Sequence, residues 1–442
     1  MPSVNSKINF LFRSFSFYAF CHPKHSGAHI LRGRTLAMET GAHPPLKGIR
    51  VLDFTIMLGG PFATMMLGDC GAEVIKIERR GTGDDTRHIG PFSSKDTERK
   101  AGGFFLSIGR NKKSVTINLK HPKGIEIAKG LVKKSDVVFE NFRPGAMDRL
   151  GLGYNELRKI NPRIVYTSIS GFGHSGPYRD RPSFDLIAQA MGGLMAMTGP
   201  RGGAPCKAGP GVGDIWASCI AAYATMVALH HANKTGRGQH VDCAMYDSML
   251  YRIERAVMMY SLAGIVSGRD GNAHPLYAPY DCFEARDGKY VVVAGHWENQ
   301  WKNLCRAMNR EDLLKDPRFS TMWDRAQNYD LLRSLIQTWI AARNREEIIS
   351  MLVEYDVPVG PVNSVEDIFN CPQVKARQML SEIHHPIAGP MKIVGVPLKF
   401  SETPVGVRRA APLLGANTEE VLKSILSLSD YEVQTLRDEG AI

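Results

Sequence analysis

Gly48-Ile49-Arg50-Val51-Leu52-Asp53-Phe54 is followed by a segment over 61–69 and then by Glu73-Val74-Ile75-Lys76-Ile77-Glu78. The outer runs are apolar and rich in β-branched residues; the middle one opens on Pro61, which a first helical turn tolerates. Strand, helix and strand in so short a span form a β-α-β unit, whose two strands run parallel. Parallel strands need helices on both faces, so this stretch sets the fold class as α/β, doubly wound. Its first turn lacks the G-x-G-x-x-G fingerprint, which leaves a dinucleotide site without support.

The alternation continues downstream. Strands are predicted over 114–118, 136–142 and 163–170, helices over 121–134, 154–160 and 184–198, and a long polar loop over 79–100. Gly209-Pro210-Gly211-Val212-Gly213-Asp214 then breaks the chain. The run 215–231 is apolar nearly all round, a buried helix stopped by Lys234-Thr235-Gly236. A further long helix is expected over 240–262. After a glycine-rich boundary over 264–273, two strands flank Arg286-Asp287-Gly288 as a hairpin, and helical patterns follow. Residues 271–375 therefore read as a smaller α+β domain, set apart from a large domain over 39–270. The tail, 376–442, carries a strand near Lys392-Ile393-Val394-Gly395-Val396. Two helix starts follow it, Asn417 with Glu420 and Ser429 with Glu432, both of capping-box form.

The chain has 442 residues, enough for a large core, and a formal net charge of +11, which suits an anionic ligand. Nucleic acid is the other routine partner of a basic chain. Zinc-finger spacing, aromatic RNA-binding motifs and long Lys/Arg blocks are all missing, so no nucleic acid is expected. Eight cysteines stand apart, none in C-x-x-C and none spaced with histidine as metal ligands; reduced thiols and no metal are expected. No apolar run is read as a membrane span. Residues 1–38 hold Lys7, Arg13, Lys24, Arg32 and Arg34 among serines and aromatics, with no acidic residue. That is the composition of a mitochondrial transit peptide, and a matrix location is expected.

Two roles compete for Asp214. An Asp before a helix most often only caps it. The same geometry sets a carboxylate at the positive end of a helix, where the dipole keeps it ionised. Glycine N–H groups beside it can face an oxyanion, and the missing glycine side chains clear space for a substrate. A carboxylate so placed suits a covalent nucleophile. Arg79-Arg80 and Asn141-Phe142-Arg143-Pro144-Gly145 stand just past strands, where open parallel sheets bind ligands, and Arg110-Asn111-Lys112-Lys113 leads into one. Alone, each reads as a solvated cationic turn; together they point to one anionic ligand. Phe142 and Phe184 suit either ring stacking or core filling.

In order along the chain, these motifs resemble those of the class III coenzyme A transferases, over about residues 46–442. The carriers are Val51-Leu52-Asp53-Phe54, Val74-Ile75-Lys76-Ile77-Glu78-Arg79, Asn111-Lys112-Lys113-Ser114, Glu140 to Gly145, Gly213-Asp214 and Thr235-Gly236-Arg237-Gly238-Gln239. The resemblance implies a Rossmann-like large domain, a small domain, a tail that returns to the large one, and a homodimer of two interlocked rings. It places the catalytic aspartate on Asp214. It places CoA contacts on Arg79, Ile117, Asn118, Leu119, Lys120, Asn141, Phe142, Arg143, Arg149, Arg181 and Phe184. The implied reaction passes CoA from succinyl-CoA to a dicarboxylic acid such as glutarate or hydroxymethylglutarate. No cofactor is implied, the CoA thioester being a substrate. Arg110 is assigned to the distal carboxylate of the diacid, because a fork-shaped cation suits it.

The departures narrow the substrate. Leu58 stands where the formyl branch carries glutamine, and residues 273–278 lack that branch's glycine-rich loop, so formate and oxalate are not expected. Phe184 stands where the racemase branch carries histidine, and phenylalanine moves no proton. An acyl-CoA racemase and a non-catalytic CoA-binding protein are the alternatives.

Overall fold

The computed structural model describes residues 42–442; the leader read over 1–38 lies outside them. Six strands, β1 (Arg50–Asp53), β2 (Glu73–Glu78), β3 (Lys112–Thr116), β4 (Val137–Glu140), β5 (Val165–Ser170) and β6 (His240–Ala244), form one sheet. Every pairing is parallel, in the order β3-β2-β1-β4-β5-β6. The order reverses between β1 and β4, and ligands of open sheets lie at the carboxyl ends beside such a reversal.

Apolar cores cover both faces, as parallel strands require. Leu52, Ile75, Val115 and Val138 point into one, with Leu131, Leu157 and Leu422. Val51, Val74, Val137 and Val165 point into the other, with Ala217, Ala221 and Leu229 of the Val212–Thr235 helix. That helix has the length and composition of a membrane span, with a mean hydropathy of 1.5, where the sequence reading found none. Its alanines let it lie close against the sheet, but the all-round burial expected is not met: Tyr223 is 70% and Val227 51% exposed on its other face.

The tail closes one edge of the sheet. β3 is an edge strand; its Ser114 N–H donates to Asn417 Oδ1 at 3.1 Å and its Thr116 N–H to Thr418 Oγ1 at 3.0 Å. Asn417 is thereby drawn away from capping its own helix, Thr418–Leu426, and the expected box is absent there. The box at Ser429 and Glu432 is formed. The tail also carries a hairpin, β10 (Leu380–His385) with β11 (Gly389–Val394), of which only the second strand was expected.

Two more expectations are corrected. The span 240–262 opens with β6 and then breaks into the Met245–Arg252 and Glu254–Ala263 helices. β6 finds its place by pairing with β5, a contact no local pattern encodes. The loop over 79–100 contains a short 3-10 turn, Asp85–His88, and is followed by an unpredicted helix, Gly103–Ile108.

The chain divides into two compact units. The first spans 42–194, Ala208–Ile265 and Gln373–Ile442; the second spans Met195–Lys207 and Val266–Pro372, so a short excursion at Met195–Lys207 joins the smaller unit. Within that unit, β7 (Asp281–Glu284), β8 (Tyr290–Val293) and β9 (Val359–Pro361) form an antiparallel sheet. Trp301, Leu304, Ile336, Ile340 and Leu352 cover it.

Candidate active site

Asp214 is the third residue of the Val212–Thr235 helix, and Gly211, at φ 61°, is its N-cap. The helix therefore starts three residues earlier than Ile215, and Asp214 does not cap it. The carboxylate faces the start of another helix, Gly59–Asp69, which follows β1. A Cβ built on Gly59 would lie 3.2 Å from Asp214 Oδ1, so glycine leaves the carboxylate its room. The two helix starts are tied by Ser218, whose hydroxyl donates to Gly59 O and to Asp214 O, the latter at 2.7 Å.

A second carboxylate shapes this one. Asp185 Oδ1 accepts from Gly213 N at 2.6 Å, so one of the glycine N–H groups read as oxyanion donors is already taken. Gln189, fully buried, donates to Asp185 Oδ2 at 2.9 Å and brackets Ala208: its Nε2 reaches Ala208 O at 3.2 Å and its Oε1 accepts Ala208 N at 2.9 Å. The glycine loop is thus pinned at both ends by the Asp185–Met191 helix. Burial, then the nearby Asp185 charge, pushes the Asp214 carboxyl up to about 6. The group is ionised at neutral pH, and far more basic than an ordinary aspartate.

The loop between β1 and Gly59 is held at almost every peptide. Asn141, just past β4, accepts from Ile56 N and donates to Ile56 O, both at 2.8 Å. Lys76 Nζ donates to Thr55 O at 2.7 Å, and just past the loop, in the first turn of the helix, Pro61 O accepts from Lys112 Nζ at 2.8 Å. Leu58 abuts the glycine loop: a Cβ on Gly211 would meet its Cδ2 at 2.6 Å.

The remaining candidates sort by exposure. Arg79, Lys120, Arg143, Arg149 and Arg181 are exposed beyond the strands, with Arg79 paired to Asp85 and Arg181 stacked 4.4 Å over Tyr178. A Cβ on Gly145 would lie 3.4 Å from Arg149 Nη1 and 3.6 Å from Arg179 Nη2, which adds Arg179, unnoticed in the sequence, to this cationic group. Asn118 is tied to the tail, its N–H to Ala441 O at 2.8 Å and its Nδ2 to Gly440 O at 3.1 Å. Ile117 is buried in the core, with Leu119 and Phe142 packed against it; Phe184 is 74% exposed, immediately before Asp185.

Arg110, assigned to the distal carboxylate of the diacid, is bound within the chain. Its guanidinium forks onto Asp69, Nε to Oδ1 at 3.0 Å and Nη2 to Oδ2 at 2.6 Å, while Nη1 donates to Val394 O. It is 4% exposed, and Asp69 ends the helix that Gly59 begins, roughly 15 Å away at 1.5 Å per residue. The fork-shaped cation does grip a carboxylate, but one of this chain's own.

One cluster was invisible to sequence reading. Glu140, at the end of β4, accepts from Phe142 N at 2.9 Å, and burial pushes its carboxyl up to about 7. It lines a cavity of about 190 Å³ with Arg143, Tyr154, Tyr166, His174 and His240. Ser168 and His240 share a hydrogen bond of 2.9 Å beside it. These groups come from separate strands and loops, so no spacing announces them.

Comparison with known proteins bears on this arrangement. The profile of CoA-transferase family III matches residues 46–418. Succinyl-CoA:mesaconate CoA-transferase of Haloarcula marismortui is 44% identical over 382 residues, 85% of this chain and 95% of that one. Succinyl-CoA:glutarate CoA-transferase of Mus musculus is 37% identical over 399 residues, 90% of each chain. Among solved structures, a CAIB/BAIF family protein from Brucella suis aligns with a TM-score of 0.78 at 35% identity, over 87% of this chain and 100% of that one.

Proposed function

The chain belongs to CoA-transferase family III and is a CoA-transferase, and from that premise we propose that it moves CoA from succinyl-CoA to a second dicarboxylate, with Asp214 as the covalent carrier. The Asp214 carboxylate attacks the thioester carbonyl, the C–S bond breaks, and CoA thiolate leaves a succinyl–aspartyl anhydride. The thiolate attacks the aspartyl carbonyl and expels succinate, giving an aspartyl-CoA thioester. The acceptor carboxylate then attacks that thioester, the C–S bond breaks to leave an acceptor–aspartyl anhydride, and the thiolate attacks the acceptor's carbonyl, freeing the Asp214 carboxylate. The observation that carries this is the Asp214 carboxylate, raised in basicity and set against a glycine at a helix start. The dicarboxylate preference is drawn from the relatives, whose names give succinyl-CoA as donor and mesaconate or glutarate as acceptor.

Arg79, Lys120, Arg143, Arg149 and Arg181 hold the CoA phosphates on this reading. Ile117, Asn118, Leu119, Asn141, Phe142 and Phe184 shape the rest of that site. The sheet order supports a Rossmann-like description of the large unit. A panel of carboxylates offered to the protein with succinyl-CoA tests the reaction. Glutarate or mesaconate should accept CoA at least ~10-fold faster, by kcat/KM, than a monocarboxylate of equal length, the scale of one hydrogen bond to a charged group. Transfer to no carboxylate at all would refute the proposal.

A homodimer is proposed as well. The Glu254–Ala263 helix is mostly apolar yet buries none of its residues, with Tyr260 63% and Leu262 69% exposed. A second copy of the chain is the cover that such a face needs. Light scattering should report twice the chain mass; a monomer at micromolar concentration contradicts the proposal. The mitochondrial assignment rests on residues 1–38 alone, and the fate of a reporter fused to them tests it.

A further inference from the structure

We propose that Lys76 is a positioning residue for the Asp214 carboxylate, acting through the loop Thr55–Gly59. The proposal rests on the reading of Asp214 as covalent carrier.

Lys76 lies mid-strand in β2, pairs in register with Asp53 of β1, and is 1% exposed. An ammonium in that position carries a desolvation cost, which an apolar side chain of the same volume would avoid. What the charge provides is visible in its partners. Nζ donates to Thr55 O at 2.7 Å and pairs with Asp84 Oδ2 at 2.9 Å. Asp84 Oδ1 in turn accepts from Thr86 N at 3.0 Å and lies 3.4 Å from Met57 N. A second buried pair stands alongside: Lys112 meets Asp53 Oδ2 at 3.0 Å, and Asp53 Oδ1 accepts Thr55 N at 3.0 Å. Between these anchors Met57 adopts φ 65°, a left-handed backbone that a methionine holds only when its surroundings impose it.

The next two residues are those that touch the site. Leu58 fills the space beside Gly211, and Gly59 faces Asp214 Oδ1. Thr55 and Met57 are therefore fixed from below by Lys76 and Asp84, and Leu58 and Gly59 are delivered to the carboxylate as a result. Lys76 touches no reacting atom. Its task is to keep the loop closed over Asp214, so that the acyl group meets thiolate and carboxylate rather than water.

The test uses Lys76→Met together with Asp84→Asn, which removes both charges and strands neither in the core. Thermal unfolding and the KM for succinyl-CoA check that the fold and the CoA site persist. The expected result is a KM within about twofold of the parent and a kcat lower by about 10- to 100-fold, the scale of a 1 Å misplacement. The ratio of hydrolysis to transfer should rise with it. Hydrolysis is read as free CoA thiol: water attacks the aspartyl-CoA carbonyl, the C–S bond breaks, and the carboxylate is regenerated. A folded double variant with unchanged kcat, or with a lower kcat and no added thiol release, overturns the proposal. So does one that fails to fold, because the pair would then be holding the core rather than the loop. If Asp214→Ala kept its transfer activity, the covalent-carrier reading would fall separately, whatever the Lys76 result.

Discussion

Asp214→Ala loses CoA transfer by at least ~10³-fold in kcat while retaining succinyl-CoA binding, because no other carboxylate replaces a covalent carrier. Transfer by initial rate and binding by calorimetry separate the two effects, and near-normal turnover removes Asp214 from the chemistry. The pH profile of the parent belongs to the same prediction. The nucleophile is the ionised form, so kcat/KM should fall as pH drops through about 6, the value to which burial and Asp185 push Asp214. An ordinary aspartate would hold activity down to about pH 4. Stability has the opposite sign. A raised carboxyl pKa means that the folded chain binds the proton more tightly than the unfolded one. Ionised Asp214 therefore weighs against folding, increasingly from pH 3.8 up to about 6 and fully above that. The weight is at most about 3 kcal/mol, at 1.36 kcal/mol per unit, and less after solvent screening. Asp214→Asn should accordingly be inactive and, at neutral pH, more heat-stable than the parent. An acid limb near pH 4 contradicts this account of the site.

Arg110→Ala is expected to act on the fold and not on the choice of acceptor. Removing the guanidinium leaves Asp69 buried with Asn111 as its remaining side-chain partner and frees Val394 O. Loss of one member of a buried pair costs ~3–5 kcal/mol. The variant should unfold at distinctly lower temperature, and whatever folds should keep the parent's ratio of diacid to monoacid turnover. Arg110→Met combined with Asp69→Leu should recover much of the stability, since no lone charge is then left in the core. A stable Arg110→Ala protein that loses only its diacid preference would restore the clamp.

The contrast between these two residues marks what a sequence exposes. The setting of Asp214 was legible because Gly209-Pro210-Gly211 interrupt the chain and the apolar run after them reads as a helix, although that helix begins at Val212 and takes in Gly213 and Asp214. The β1–helix–β2 unit was legible for the same local reason. The carboxylate that holds Arg110 was not legible because it lies 41 residues upstream and on another element. A cation beside two lysines looks free until the fold supplies a carboxylate. β6 was missed because His240-Val241-Asp242-Cys243-Ala244 runs straight into a helix with no turn residue between, and only its ladder with β5 identifies it. Asp185 and Gln189, which pin the glycine loop, carry no local signature; their bonds cross 19 and 28 residues of chain.

The closing of β3 by two side chains has a consequence for handling the protein. A bare strand edge recruits other strands, and the end product is aggregate. Here the guard is two residues of the tail, Asn417 and Thr418, whose side chains occupy amides that a neighbouring molecule would otherwise take. A protease nick just ahead of them would leave the glycine loop at Asp214 untouched and still spoil the preparation, so turbidity on storage should report tail loss before activity does.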